Sequence, residues 1–394
     1  IPRSLKLGIG AGIGLFLAII GLEIMGVVGD HPVTLVTLGD IKNPLVLLGC
    51  LAFVAMVVLE KLKVKGNIKL GTLATHLTFA GGIVPNEDGR LPRTESGEIK
   101  IVDGISRLKE LSKIELNATQ FSYFPGLNED DVSEVISKLR NIGLEIQFIL
   151  MVGGADPMNP KDEDAVADML LAGVETAKKH NISICSSTSI EEWMQDGALP
   201  KTGKAYEAAI EQNVKLHSRV FSEGNIANSC IKEWHIEFLR SIEFETFTNL
   251  QKAWDIVNAM DEGVGQKFYK VLIDTAHCGD SDLSIDENID IIHAIGQADQ
   301  LGIFHASSPT TRGCLSTDDG WISALLRACS ETGKLEYVLV EIFHHADEGL
   351  VPLRERVKGH GVDTTDGRSY DQLMLDGISD MARRLNNLTV RNLL

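Results

Sequence analysis

The stretch Lys270-Val271-Leu272-Ile273-Asp274-Thr275-Ala276-His277 joins a short apolar run to an acid, with a histidine three residues further on. Three other runs end in the same way: Trp234-His235-Ile236-Glu237, Leu301-Gly302-Ile303-Phe304-His305 and Tyr337-Val338-Leu339-Val340-Glu341. Together they deliver Glu237, Asp274, His305 and Glu341. Three carboxylates and one imidazole form an oxygen-rich set. Such a set suits one divalent cation of the Mn, Mg or Co kind rather than a thiolate zinc site.

Elements of a particular kind must position these residues. Buried parallel strands read as continuous apolar runs, and in a barrel of such strands the functional groups sit just past the carboxyl ends. From Ile68 onward the chain alternates strand-like and helix-like stretches. Leu70–Thr78, Ile114–Phe121, Leu144–Val152 and Ile182–Ser186 read as four strands, and Glu233–Phe238, Phe268–Thr275, Gly302–His305 and Glu336–Ile342 as four more. Acidic helix starts lie between them, such as Asn128-Glu129-Asp130-Asp131 before Val132–Asn141 and Asp162-Glu163-Asp164 before Ala165–His180. Residues 67–394 therefore read as an α/β fold, a (β/α)8 TIM barrel closed by a last helix over Tyr370–Leu388. A doubly wound open sheet is the competitor. It has no G-x-G-x-x-G after the first strand, so a dinucleotide site lacks support.

Residues 1–66 differ in composition. Leu7–Val28 is apolar apart from Glu23, and Pro44–Leu59 is apolar throughout. The first run has about the ~20 residues a bilayer span needs, and the second is shorter. The expectation is a two-helix apolar, transmembrane hairpin; two buried helices of a soluble fold are the alternative. Arg3 and Lys6 precede the first run and Lys61, Lys63 and Lys65 follow the second, so both ends would face the cytoplasm and tether the barrel to the inner face of the membrane. Six Lys/Arg against four acids make this segment net +2, which leaves 31 basic and 51 acidic groups, net -20, for the rest. A surface that acidic repels phosphate backbones and argues against nucleic acid as a partner. The six cysteines show no C-x-x-C pair, as expected of reduced thiols in a cytosolic domain.

Two resemblances sharpen this reading. Ile1-Pro2-Arg3-Ser4-Leu5-Lys6, the run Gly10–Ala18 and the run Pro32–Asp40 resemble an interior piece of adenine-permease-type carriers in the xanthine/uracil permease superfamily. Such a carrier builds its substrate site between structural repeats of many spans, which two spans cannot supply, so transport is not implied. The barrel resembles the xylose-isomerase-like sugar isomerase/epimerase superfamily, and within it the ketose 3-epimerases. The motifs are Ile236-Glu237-Phe238-Leu239 with Glu243, Leu272–His277, Gly302–His305 and Val338–Glu341. The resemblance implies Glu237, Asp274, His305 and Glu341 as ligands of one divalent metal, and Glu237 and Glu341 also as the acid/base pair. It implies His277, Arg312 and Glu243 as contacts to hydroxyls of a small sugar or polyol. A homo-oligomer stays open. The first half of the barrel is less family-like, with only Ala74-Thr75-His76 at the end of strand one.

The chemistry fits the residue types. Moving a proton on carbon next to a carbonyl needs a base at that carbon and a positive centre for the charge that develops on oxygen. Two carboxylates on opposite faces would epimerise or isomerise; loss of a hydroxyl after the same proton abstraction would make a dehydratase or lyase. The DNA-repair endonuclease branch would need more histidines and a basic groove, and the non-enzymatic alternative is an inert barrel carried on a transporter fragment. Each residue also has a structural reading. Asp274 could cap the next helix, His305 could be a bonded core histidine, and His277 or Arg312 an ordinary loop residue. Glu245 competes with Glu243, and His344 and His345 read as lining the mouth or surface.

Overall fold

The computed structural model describes residues 61–73, 84–309, 319–345, 351–358, 361 and 367–394. The chain divides into two units, Ile1–Leu62 and Lys63–Leu394. The described strands and helices all belong to the second. The apolar runs expected to form a hairpin lie outside the described residues, and so do Arg312 and His76. Among the described residues no helix is long and apolar enough to cross a membrane.

Eight parallel strands close into a barrel in sequence order: β1 (Lys69–Leu73), β2 (Ala118–Tyr123), β3 (Glu145–Leu150), β4 (Ile184–Ser187), β5 (Glu233–Ile236), β6 (Tyr269–Asp274), β7 (Leu301–Ala306) and β8 (Tyr337–Val340). Pairing of β8 with β1 completes the ring, with Gly71 opposite Leu339. Helices alternate with the strands: α1 (Lys100–Leu111), α2 (Glu129–Asn141), α3 (Glu163–Lys179), α4 (Lys204–Glu223), α5 (Leu250–Val264), α6 (Thr275–Gly279), α7 (Ile285–Gln297), α8 (Trp321–Glu331), α9 (Val351–Arg356) and α10 (Tyr370–Val390). The expected strand two is displaced. Pairing begins at Ala118, opposite Gly71 and Glu145, and the apolar Ile114 and Leu116 are buried in the connection from α1 instead. Asn128 starts α2 as its sequence suggests, accepting from the N–H groups of Asp130 and Asp131.

Strand alternation decides what the barrel holds. Ala118, Ile184, Leu272, Ile303, Leu339, Leu73 and Ile149 form one apolar cluster in its interior, separate from the main core outside. Beneath it Lys69 pairs with Glu145, and the hydroxyl of Tyr337 bonds both. Above it the same rows continue into polar groups. Two residues past Ala118, Ile184, Leu272 and Ile303 come Gln120, Ser186, Asp274 and His305, and two past Leu339 comes Glu341. Burial in a dry interior leaves such groups to bond one another or a ligand.

Candidate metal centre

The carboxyl ends of β5, β6, β7 and β8 bring Glu237, Asp274, His305 and Glu341 together, and none of the four is more than 8% exposed. Ligand atoms of Asp274, His305 and Glu341 lie within 4.8 Å of one another, and so do those of Glu237, Asp274 and His277. His305 Nδ1 is 3.6 Å from Glu237 Oε1 and 4.0 Å from Asp274 Oδ2. Among the described residues this nitrogen makes no hydrogen bond, although it is buried. An imidazole nitrogen of that kind beside converging carboxylate oxygens fits a hard divalent cation at their centre.

His277 stands on the other side of the same acids, with Nε2 3.6 Å from both Glu237 Oε1 and Asp274 Oδ2. Its outer nitrogen, Nδ1, accepts the backbone N–H of Arg240 at 3.2 Å. An accepting Nδ1 carries no proton, so the ring proton is on Nε2 and points at the carboxylates. His277 is therefore built to present an N–H donor to oxygen.

Arg240, which no sequence motif singles out, organises the loop after β5. Its fully buried guanidinium donates from Nε to Glu243 Oε2 at 3.0 Å and from one terminal nitrogen to Asp280 Oδ2 at 2.9 Å. The other oxygen of Glu243 accepts from Trp193 Nε1 at 3.1 Å. A carboxylate has about four lone-pair directions, so Glu243 keeps capacity for a hydroxyl. Beyond it, Glu191 accepts from the backbone N–H groups of Glu245, Thr246 and Phe247 and pins the loop to the end of β4. Burial pushes the Glu191 carboxyl up, against the pull of these donors. His344 is buried with its ring edge-on to Tyr370 at 5.6 Å, and the ring of His345 lies tilted against it, with centroids 4.5 Å apart.

No family model matches the chain. Among solved structures, an L-ribulose 3-epimerase superposes with a TM-score of 0.62 at 11% identity, over 82% of this chain and 97% of that one. A D-allulose 3-epimerase from Methylomonas sp. gives 0.60 at 14% identity, over 82% and 100%. A D-psicose 3-epimerase from Clostridium cellulolyticum gives 0.58 at 15% identity, over 81% and 99%. At such identities the likeness is one of fold: the barrel is built as ketose 3-epimerases are. The N-terminal region matches a different group. A guanine/hypoxanthine permease of Bacillus subtilis is 41% identical over 86 residues, 22% of this chain and 20% of that protein. An adenine permease of Escherichia coli is 38% identical over 77 residues, 20% and 17%. The chain thus spans about a fifth of the length of the permeases it matches.

Proposed function

We propose that residues 67–394 form a divalent-metal-dependent isomerase or epimerase, acting on a sugar or a sugar-like polyol or keto acid. What carries the reading is the convergence of Glu237, Asp274, His305 and Glu341 at the mouth of a barrel that shares its fold with ketose 3-epimerases. These four side chains would hold one Mn, Mg or Co ion, which supplies Lewis acidity toward the substrate oxygens next to the reacting carbon.

The chain's own groups do the rest. Glu237 and Glu341 remove a proton from the carbon beside the carbonyl and return one, either to its opposite face or to the neighbouring carbon. His277 donates its Nε2 proton to a substrate oxygen, and Glu243 and Arg312 bind hydroxyls further along. Burial keeps bulk water from the carbon while it is deprotonated. Residues 1–66 are proposed as a membrane hairpin that holds the barrel on the cytoplasmic side, a reading supported by their flanking lysines and by the permease likeness.

The test is a screen of free and phosphorylated ketoses in deuterated buffer with Mn, Mg or Co added to the metal-stripped protein. Metal-dependent deuterium at the carbon beside the carbonyl, with an epimeric or isomeric product, is the expected result. Exchange followed by loss of water would identify a dehydratase instead. No exchange with any ketose and any of the three metals would end the reading.

A further inference from the structure

His305 is held from behind by a chain of hydrogen bonds that crosses the barrel interior. Its Nε2 lies 2.7 Å from Gln120 Oε1 on β2. Gln120 Nε2 lies 3.0 Å from Ser186 Oγ on β4, and Ser186 Oγ lies 3.2 Å from the carbonyl oxygen of Phe148 on β3. Gln120 and His305 are fully buried and Ser186 is 1% exposed, so no solvent competes for these bonds.

The chain can run in only one direction. A backbone carbonyl accepts and cannot donate, so the single hydroxyl proton of Ser186 is committed to Phe148. Ser186 can then only accept from Gln120, which turns the amide nitrogen toward Ser186 and the amide oxygen toward His305. An amide oxygen accepts and cannot donate, so His305 carries its proton on Nε2. In the neutral ring Nδ1 is left as a lone pair. This is the buried nitrogen that makes no hydrogen bond among the described residues and lies 3.6 Å from Glu237 Oε1.

We propose that Gln120 and Ser186 are positioning residues that lock His305 in its Nε2–H tautomer and so keep Nδ1 open as the cation's nitrogen ligand. The identity of the ligand rests on the proposed metal reading, but the tautomer belongs to the metal-free chain. The contrast with His277 supports the assignment. Both rings face the same acids, yet the group behind His277 is a donor, the N–H of Arg240, whereas the group behind His305 is an acceptor. One ring therefore presents an N–H to the centre and the other a lone pair. Outer partners of this kind fix ring orientation and tautomer at metal sites, and their loss typically weakens metal binding ~10–100-fold.

The experiment uses the full chain, metal-stripped and labelled with 15N-histidine, with the His305 signals assigned by their disappearance in His305→Gln. Long-range 1H–15N correlation should show Nε2 protonated and Nδ1 bare in the unaltered protein. Gln120→Met removes the acceptor, so the two tautomers should mix. Its affinity for Mn2+ alone, followed by the spin-resonance signal of the unbound ion, should fall about 10–100-fold. Gln120→Glu restores an oxygen toward Nε2–H and should keep both the tautomer and an affinity within a few-fold of the unaltered chain. A merely structural glutamine would not show that rescue. Ser186→Ala frees the amide to turn and should show a smaller loss of the same kind; it decides the matter if Gln120→Met does not fold. A His305 protonated on Nδ1 in the unaltered chain would overturn the proposal, as would a Gln120→Met protein with unchanged tautomer and Mn2+ affinity. An unaltered chain that shows Nε2–H but takes up no Mn2+ would sink the metal reading and leave the tautomer lock standing.

Discussion

Asp274 caps the short helix that presents His277, and it faces that same histidine with its other oxygen. Oδ1 accepts the backbone N–H groups of Ala276 at 2.6 Å and His277 at 3.1 Å, while Oδ2 lies 3.6 Å from His277 Nε2. One carboxylate thus sets the start of α6 and contributes to the polar centre. The capping role and the ligand role are compatible, because each uses a different oxygen.

That division makes Asp274→Asn informative. The amide oxygen can still accept the two cap bonds, so the capping contribution of about 1 kcal/mol should largely survive. Removing one negative charge from a buried group of three carboxylates relieves like-charge repulsion in the metal-free protein. The expected outcome is a metal-free melting temperature equal to or above that of the unaltered protein. The unaltered protein should gain about 2.7 kcal/mol at Mn2+ a hundredfold above its Kd. Asp274→Asn should gain nearly nothing at the same Mn2+ concentration. Thermal melts with and without Mn2+ check both halves, and an undiminished metal-induced shift would remove Asp274 from the ligand set.

Glu237→Gln and Glu341→Gln test the proton transfers. Glutamine keeps an oxygen at each position but cannot accept a proton at neutral pH, so turnover should fall roughly 10²–10⁴-fold in each. With one acid on each face, a single variant should still exchange the substrate proton on its intact face while failing to complete the inversion. Isotope exchange is measured alongside metal content. Near-normal turnover in both variants with metal retained would rule out the two-carboxylate mechanism.

Much of this arrangement is legible in the sequence. Asp274, His305 and Glu341 announce themselves because a buried strand is a continuous apolar run and the first polar residue after it stands at the mouth; Glu237 follows the same pattern in a run that His235 interrupts. The eight-strand order follows from the same pattern. Local pattern does not reveal pairing, which is why the run beginning at Ile114 reads as strand although the strand starts four residues later, where β1 and β3 offer partners. Gln120, Ser186 and Arg240 escape for a related reason. Gln120 is 185 residues from the histidine it bonds, and only closure of the barrel brings them together. A lone polar residue inside an apolar strand is the available signal, and alternation turns it inward.

Stability toward acid should depend on His217, a buried residue of α4 that packs against the strands β5 and β6. Its Nε2 bonds Ser189 Oγ at 3.0 Å and Nδ1 donates to the carbonyl of Asn213 at 2.9 Å, with Trp234 and Tyr269 edge-on to the ring. Burial pushes it down to about 4 from an ordinary value near 6.5. The unfolded chain then binds a proton that the folded chain refuses, so the contribution is complete above pH 6.5 and is lost as the pH falls toward 4. The slope should be about 1.4 kcal/mol per pH unit in that window. His217→Gln can keep both hydrogen bonds without titrating, and denaturant melts between pH 6.5 and 4.5 should show a flatter profile for it. Buried His235, also lowered by burial, should supply a remaining slope of the same sign.

Gly302 should be among the least replaceable positions, for a reason that links the barrel wall to the site. The pairing of β6 with β7 shifts register between Val271 and Ile273, and the N–H of Ile303 is taken up by His235 Nδ1 at 3.1 Å. The imidazole comes close against Gly302 to reach it. A Cβ at residue 302 would stand 2.8 Å from the carbonyl oxygen of Val271 and 2.9 Å from His235 Nδ1. Neither is the end of a flexible side chain. Gly302→Ala should therefore displace His235, leave a buried N–H unsatisfied and cost roughly 2–5 kcal/mol, as overpacking and a lost buried bond together imply. Because His305 follows three residues along the same strand, Mn2+ affinity should fall with stability. His235→Ala in the Gly302→Ala background tests the mechanism: if the clash with the ring is the cause, the second change should add much less than it costs alone. Strict additivity of the two losses in denaturant melts would show that the glycine is required for something other than room for His235.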